Sequence, residues 1–128
     1  MTAATKNRKR FTTRELVDMS NDALDNLTDE QKENYVVPAS LERYSLRNLC
    51  LIAMQCPTAT DVSGYKQWIK RGRRVRKGER GIAILAPSHY VKRDKATGEP
   101  VLDEHGNEKM VPAYRTAYVF DIAQTDEL

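Results

Sequence analysis

Gly72-Arg73-Arg74-Val75-Arg76-Lys77-Gly78-Glu79-Arg80-Gly81, followed at once by Ile82-Ala83-Ile84-Leu85-Ala86-Pro87, is the stretch whose reading decides the fold. The first ten residues carry five cations and three glycines. The next six form an apolar run of strand length. Both parities are apolar, so this strand is expected to be central or covered on both faces. Gly78 and Gly81 make the segment around Glu79-Arg80 a candidate tight turn, because glycine tolerates positive φ. Val75 is the lone apolar residue of the basic segment and a candidate pin to the core. Just upstream, Tyr65-Lys66-Gln67-Trp68-Ile69-Lys70-Arg71 holds the only tryptophan of the chain. Concentrated cations beside aromatics, tied to a strand, point to a phosphate-bearing partner.

Working outward, the charge is segregated. The 128 residues sum to a net +3, yet residues 64–93 alone carry +9 and residues 1–10 carry +4. Residues 11–63 and 94–128 are each at −5. A mildly acidic chain with one basic island presents a field suited to a polyanion. The length fits one domain with a core of its own. Residues 1–12 read as a flexible basic arm that could add phosphate contacts, and residues 13–128 as the domain.

Residues 13–34 show helical spacing of Leu16, Val17, Met19, Leu24 and Leu27. Ser20-Asn21-Asp22 is a candidate break, and Thr28 with Gln31 fits a capping box. Residues 44–55 read as a central helix, with Leu46, Leu49, Cys50 and Ala53 on one face. Tyr44, Asn48 and Gln55 form a polar stripe on it. A polar stripe on a mostly buried helix needs partners, in the protein or in a ligand. Ser63 is a candidate cap for a short helix over 64–71 that Gly72 would close. Trp68 has two readings, core packing and base stacking. Tyr65 is the better stacking candidate if Trp68 goes inside. Residues 94–110 read as an exposed hairpin excursion. Tyr114, Thr116, Tyr118, Phe120 and Ile122 share one parity of a strand over 111–122, expected to pair antiparallel with 82–93. The fold class is therefore α+β, with helices in the N-terminal half packed on a small antiparallel sheet from the C-terminal half.

Several classes are disfavoured. No paired carboxylate, Ser-His-Asp or Cys-His constellation is visible, so catalysis is not expected. His89 and His105 stand alone, and Cys50 and Cys56 lack zinc spacing, so neither metal nor other cofactor is expected. There is no apolar run of about 18 residues and no signal peptide, so no membrane partner is read and the cytoplasm is the default compartment.

Taken together, Tyr44-Ser45 with Asn48, Gln55-Cys56-Pro57, Gly64-Tyr65 with Trp68, Gly72-Arg73, Val75 through Ile82, Ile84-Leu85-Ala86-Pro87, and Val119-Phe120-Asp121-Ile122 with Gln124-Thr125 form an ordered set. Over about residues 40–126 this set resembles the N-terminal domain of ArdC-type antirestriction proteins of plasmids, phages and actinobacteria. The resemblance implies an α+β domain that binds single-stranded DNA. Longer members of that family continue into a metallopeptidase-like domain with an HExxH helix. This sequence holds no HExxH, so it reads as a fragment or as a free-standing copy of the binding domain.

The charge pattern and the resemblance converge on a cationic groove with aromatic platforms. Lys70, Arg71, Arg73, Arg74, Arg76, Lys77 and Arg80 are the phosphate candidates. Tyr44, Tyr65 and Trp68 are the stacking candidates. Ser45, Asn48, Gln55 and Gln124 complete the candidate DNA-binding set, as polar groups for base edges or sugars. RNA or duplex DNA would be held more weakly. A different class of reading is a protein-interaction module of mobile genetic elements, whose basic island meets an acidic partner.

Overall fold

Thr12 opens the first helix. Its hydroxyl accepts from the Glu15 amide at 3.1 Å, and the Glu15 carboxylate accepts from the Thr12 amide at 3.0 Å. This reciprocal box satisfies two amides that a helix start would otherwise leave bare. The computed structural model describes residues 10–128. Residues 1–9, most of the expected basic arm, lie outside the described residues. Helix α1 spans Thr13–Asp25 and α2 spans Asp29–Glu33. Thr28 and Gln31 form the expected capping box, with bonds of 3.1 and 2.8 Å. The break considered at Ser20-Asn21-Asp22 does not occur. Ser20 is buried inside α1, donating to the Val17 carbonyl at 3.0 Å and accepting from Arg47 Nη1 at 2.6 Å. The hydroxyl bonds back onto its own helix and is held there by Arg47, so it does not divert the chain into a turn.

Helix α3, Leu46–Gln55, starts at Ser45, whose hydroxyl caps the Asn48 amide at 3.2 Å. Strand β1 is Val62–Ser63 and helix α4 is Tyr65–Lys70. The N-cap of α4 is Gly64 and not Ser63. Ser63 instead turns inward, where its hydroxyl accepts from Arg43 Nη2 at 3.0 Å and Arg71 Nη1 at 2.9 Å. Strands β2 (Arg73–Val75), β3 (Ile82–Val91), β4 (Met110–Asp121) and β5 (Thr125–Glu127) complete the regular elements. They form a three-stranded sheet in the order β1-β4-β3 and a two-stranded sheet β2-β5. The mixed α+β class and the pairing of β3 with β4 follow the sequence reading.

Two compact units emerge from these elements. The first holds the residues up to Leu85 together with Thr116–Leu128, and the second holds Ala86–Arg115. In the first unit, β3 feeds two apolar clusters from its two faces. Ile82 and Ile84 join Leu41, Leu49, Ile52, Cys56, Val62 and Val119. Ala83 and Leu85 join Leu16 and Leu51. This is why both parities of the run are apolar. Each fully buried Leu or Ile here contributes about 1.5–3 kcal/mol. Cys50 and Cys56 are buried free thiols, as their apolar context suggests.

The second unit contains the expected excursion. Antiparallel bridges pair Arg93 with Pro100 and Leu102 with Glu108. Asp94 accepts the amides of Ala96 and Thr97, and Asp103 those of His105 and Asn107. These side-chain turns close the two polar clusters read in the sequence. Among the described residues, no helix is long and apolar enough to cross a membrane.

Candidate nucleic-acid interface

The site is built from the start of α4, from β2 and the turn after it, from the end of β4, and from β5. Trp68 is 0% exposed, and its indole N–H donates to the Phe120 carbonyl at 2.8 Å. Core packing is therefore its role, and it cannot serve as a base platform. The Arg71 guanidinium lies 4.2 Å from the ring centroid and closes the tryptophan off. Gly72, at φ +82°, ends the helix, with its amide bonded to the Ile69 carbonyl at 3.0 Å. β2 then pairs antiparallel with β5, in the register Arg73 to Glu127, Arg74 to Asp126 and Val75 to Thr125. Val75 is buried and pins the segment as anticipated. Gly78 supplies the positive φ of the turn, +87°. Gly81 has a different task. A Cβ there would sit 2.8 Å from the Tyr118 Cβ, so only glycine lets the two segments approach.

The cations of the island divide into two groups. Arg71 forms a two-pronged ion pair with Asp61, at 3.0 and 2.6 Å. Arg73 donates to the Thr125 hydroxyl at 2.7 Å and carbonyl at 3.2 Å, and reaches Glu127 at 3.8 Å. Arg76 donates to the carbonyls of Ala123 and Thr125, and pairs with Asp126 at 3.0 Å and with the buried Glu79 at 3.6 Å. These three arginines staple the segment to the C-terminal strand and to β1. Lys70, Arg74 and Lys77 are exposed, and their side chains have no hydrogen bond or ion pair among the described residues. Arg80 is exposed and makes contacts of its own, while its carbonyl accepts from Gln124 at 2.8 Å.

Arg74 and Lys77 border a groove of about 690 Å³ lined by Tyr65, Val75, Arg76, Gly78, Glu79, Phe120 and Asp126 as well. Tyr65 is 51% exposed, and its ring meets Phe120 edge to face at 6.4 Å and 70°. One ring thus holds the other in place and leaves an aromatic face to solvent. Phe120 and Asp126 were not among the residues singled out as a site. The parity of Phe120 with Tyr118 on β4 was visible in the sequence, and Asp126 became visible only through its pairing with Arg74. Tyr118 is itself partly exposed, with Arg10 5.7 Å from its ring centroid.

The polar stripe of α3 lies elsewhere. Asn48 accepts the Leu85 amide and donates to the Leu85 carbonyl, both at 2.9 Å. Gln55 does the same with Ala83, at 2.9 and 2.7 Å. The two side chains act as an extra strand along the open edge of β3. The stripe's partner is therefore the protein, and both amides are committed to it. Tyr44 packs against the core, donates to the Val62 carbonyl at 3.2 Å, and has Arg43 over its ring at 5.0 Å. Its face is not open for stacking. Ser45 is a helix cap. Gln124 is buried and ties the Asp121 amide, at 2.9 Å, to the turn at Arg80. Of the fourteen expected site residues, the groove gathers Tyr65, Arg74, Arg76 and Lys77.

The Asp61–Arg71 pair gives this region a pH dependence. Hydrogen bonding to Arg71 holds the Asp61 carboxyl below its ordinary value; partial burial opposes this, and the charges of Arg71 and Arg43 reinforce it. A depressed folded-state value stabilises the fold above the unfolded value of about 4, and the contribution disappears as pH falls through the depressed value. Thermal melts should lose stability in that acid range, and Asp61→Asn should flatten this part of the profile. An unchanged acid limb in the variant would show that the pair contributes nothing. Among the described residues, no group of three or more His, Cys, Asp or Glu is arranged to hold a metal ion.

Two of three comparisons with known proteins find a match. A search of curated proteins finds no match. The crystal structure of the antirestriction ArdC protein from the R388 plasmid, in its metal-free form, superimposes with a TM-score of 0.53 at 23% identity. The match covers 88% of this chain and 40% of that one, so the likeness is one of fold and spans less than half of the plasmid protein. The family model for the N-terminal domain of the anti-restriction factor ArdC matches residues 13–120. That span takes in α1 through most of β4, and the chain belongs to the ArdC N-terminal domain family.

Proposed function

We propose that this domain binds single-stranded DNA, without catalysis, through the groove beside β2, in the service of antirestriction or DNA transfer. The observation that carries the reading is the pairing of a half-exposed Tyr65 with the uncommitted Arg74 and Lys77 around one groove. Single strands are held by cations that track phosphates and by aromatic faces that stack bases, at about 1–3 kcal/mol per base. An acidic protein surface would use the cations but would have no need of the aromatic face. A duplex reader would place a long helix in the major groove, and α4 has only six residues. Membership of the ArdC family supports the link to antirestriction.

Fluorescence anisotropy with labelled single- and double-stranded oligonucleotides at low and at physiological salt tests the proposal. Binding should favour the single strand and weaken with salt. Tyr65→Ala should cost about 1–3 kcal/mol of affinity and leave the salt dependence unchanged. Equal affinity for duplex, or no binding at low salt, would rule the proposal out.

A further inference from the structure

We infer that the groove is a base pocket that prefers guanine, with Asp126 as the group that reads the base. The inference rests on the single-strand reading and adds a specificity to it. Two carboxylates line a groove otherwise suited to a polyanion. Glu79 is buried against Arg76 and Gln124. Asp126 is more than half exposed and lies opposite Arg74 across β2-β5, which puts both side chains on one face. Its Oδ1 accepts from Arg76 Nη1 at 3.0 Å, while Oδ2 has no hydrogen-bond partner among the described residues.

A phosphate would be repelled by this carboxylate, so the strand's backbone belongs on the Arg74 and Lys77 side. The space between Tyr65, Phe120, Val75 and Asp126 has aromatic and aliphatic walls and one strong acceptor. That is the lining a flipped-out base requires, since single-stranded bases are stacked on aromatics and read at their Watson–Crick edges. An ionised carboxylate only accepts. Guanine presents two adjacent donors on that edge, the N1 imino and N2 amino groups. Cytosine and adenine each present one amino group beside a ring acceptor. Thymine presents one imino group between two carbonyls, and those carbonyls would face the carboxylate.

The test compares binding of the intact chain to four single strands of about twelve nucleotides, within the usual range of site sizes. They are oligothymidine and alternating thymine–cytosine, thymine–inosine and thymine–guanine. Guanine should be favoured over thymine by roughly fivefold to tenfold, the low end of what a two-point base contact gives. Inosine, which lacks the N2 amino group, should fall between them. Asp126→Asn keeps an acceptor for Arg76 but replaces Oδ2 with a donor. It should bring guanine and thymine to within about twofold of each other, while oligothymidine binds at least as tightly as before. Because inosine alters only the DNA, its arm stands whatever the variant does to stability. Clear binding of oligothymidine with no guanine advantage, or an advantage that survives in Asp126→Asn, overturns the inference and leaves the single-strand reading standing. Failure to bind all four strands overturns that reading along with it.

Discussion

Trp68→Ala should cost about 3–5 kcal/mol of folding stability, the usual range for truncating a buried aromatic. Small domains hold only about 5–15 kcal/mol in total. The residue is fully enclosed, its N–H is bonded to the Phe120 carbonyl, and Arg71 lies over its ring. Removing it leaves a cavity beneath α4, strips a donor from β4 and deprives the Arg71–Asp61 pair of its apolar backing. Trp68→Phe should be milder, since it fills most of the volume and loses one hydrogen bond worth about 1 kcal/mol. Urea denaturation followed by circular dichroism gives both values. A cost below about 1 kcal/mol for alanine would mean that the ring is not where the fold places it.

The second large effect concerns the edge of β3. Asn48→Ala combined with Gln55→Ala should destabilise the domain by about 2–5 kcal/mol, because each substitution leaves a buried strand amide and carbonyl without partners. These two side chains satisfy residues 83 and 85, which point to the edge away from β4. An open edge is also a template for association between chains. The double variant should therefore show faster amide exchange at Ala83 and Leu85, and a greater tendency to self-associate. If stability holds and only nucleic-acid affinity falls, the amides belong to the groove after all.

These two effects also mark how far the sequence could be read. A helix over 44–55 was legible from spacing, and it runs over 46–55 with Ser45 as its cap, which leaves Asn48 and Gln55 of the polar stripe on it and Tyr44 ahead of it. The stripe's partner was not legible, because no local pattern says which strand edge lies 28 or 37 residues further along. The covered strand at Ile82–Leu85 was legible because burial on two faces demands apolar residues at both parities. The division of the basic island was not. Arg73 and Arg74 are neighbours of like charge, and strand alternation sends one inward to Thr125 and leaves the other at the groove. The side-chain hydrogen bonds of Arg73 and Arg76 reach partners 47–52 positions away, near the C-terminal end. Charge density pointed to a polyanion, and only the tertiary pairing showed which cations have none of their own. Ser20 failed as a helix breaker for a related reason, since Arg47 supplied the partner that a turn would otherwise have provided.

The central claim is that Arg74 and Lys77 meet the phosphates while Arg73 and Arg76 hold the fold. The direct measurement is the slope of log affinity against log salt for a single strand, taken for the unaltered chain and for Arg74→Ala with Lys77→Ala. Each phosphate contact contributes about 0.7 to that slope. The double variant should keep its melting temperature and lose about 1.4 from the magnitude of the slope. A slope that does not change, in a variant that remains folded, would contradict the assignment.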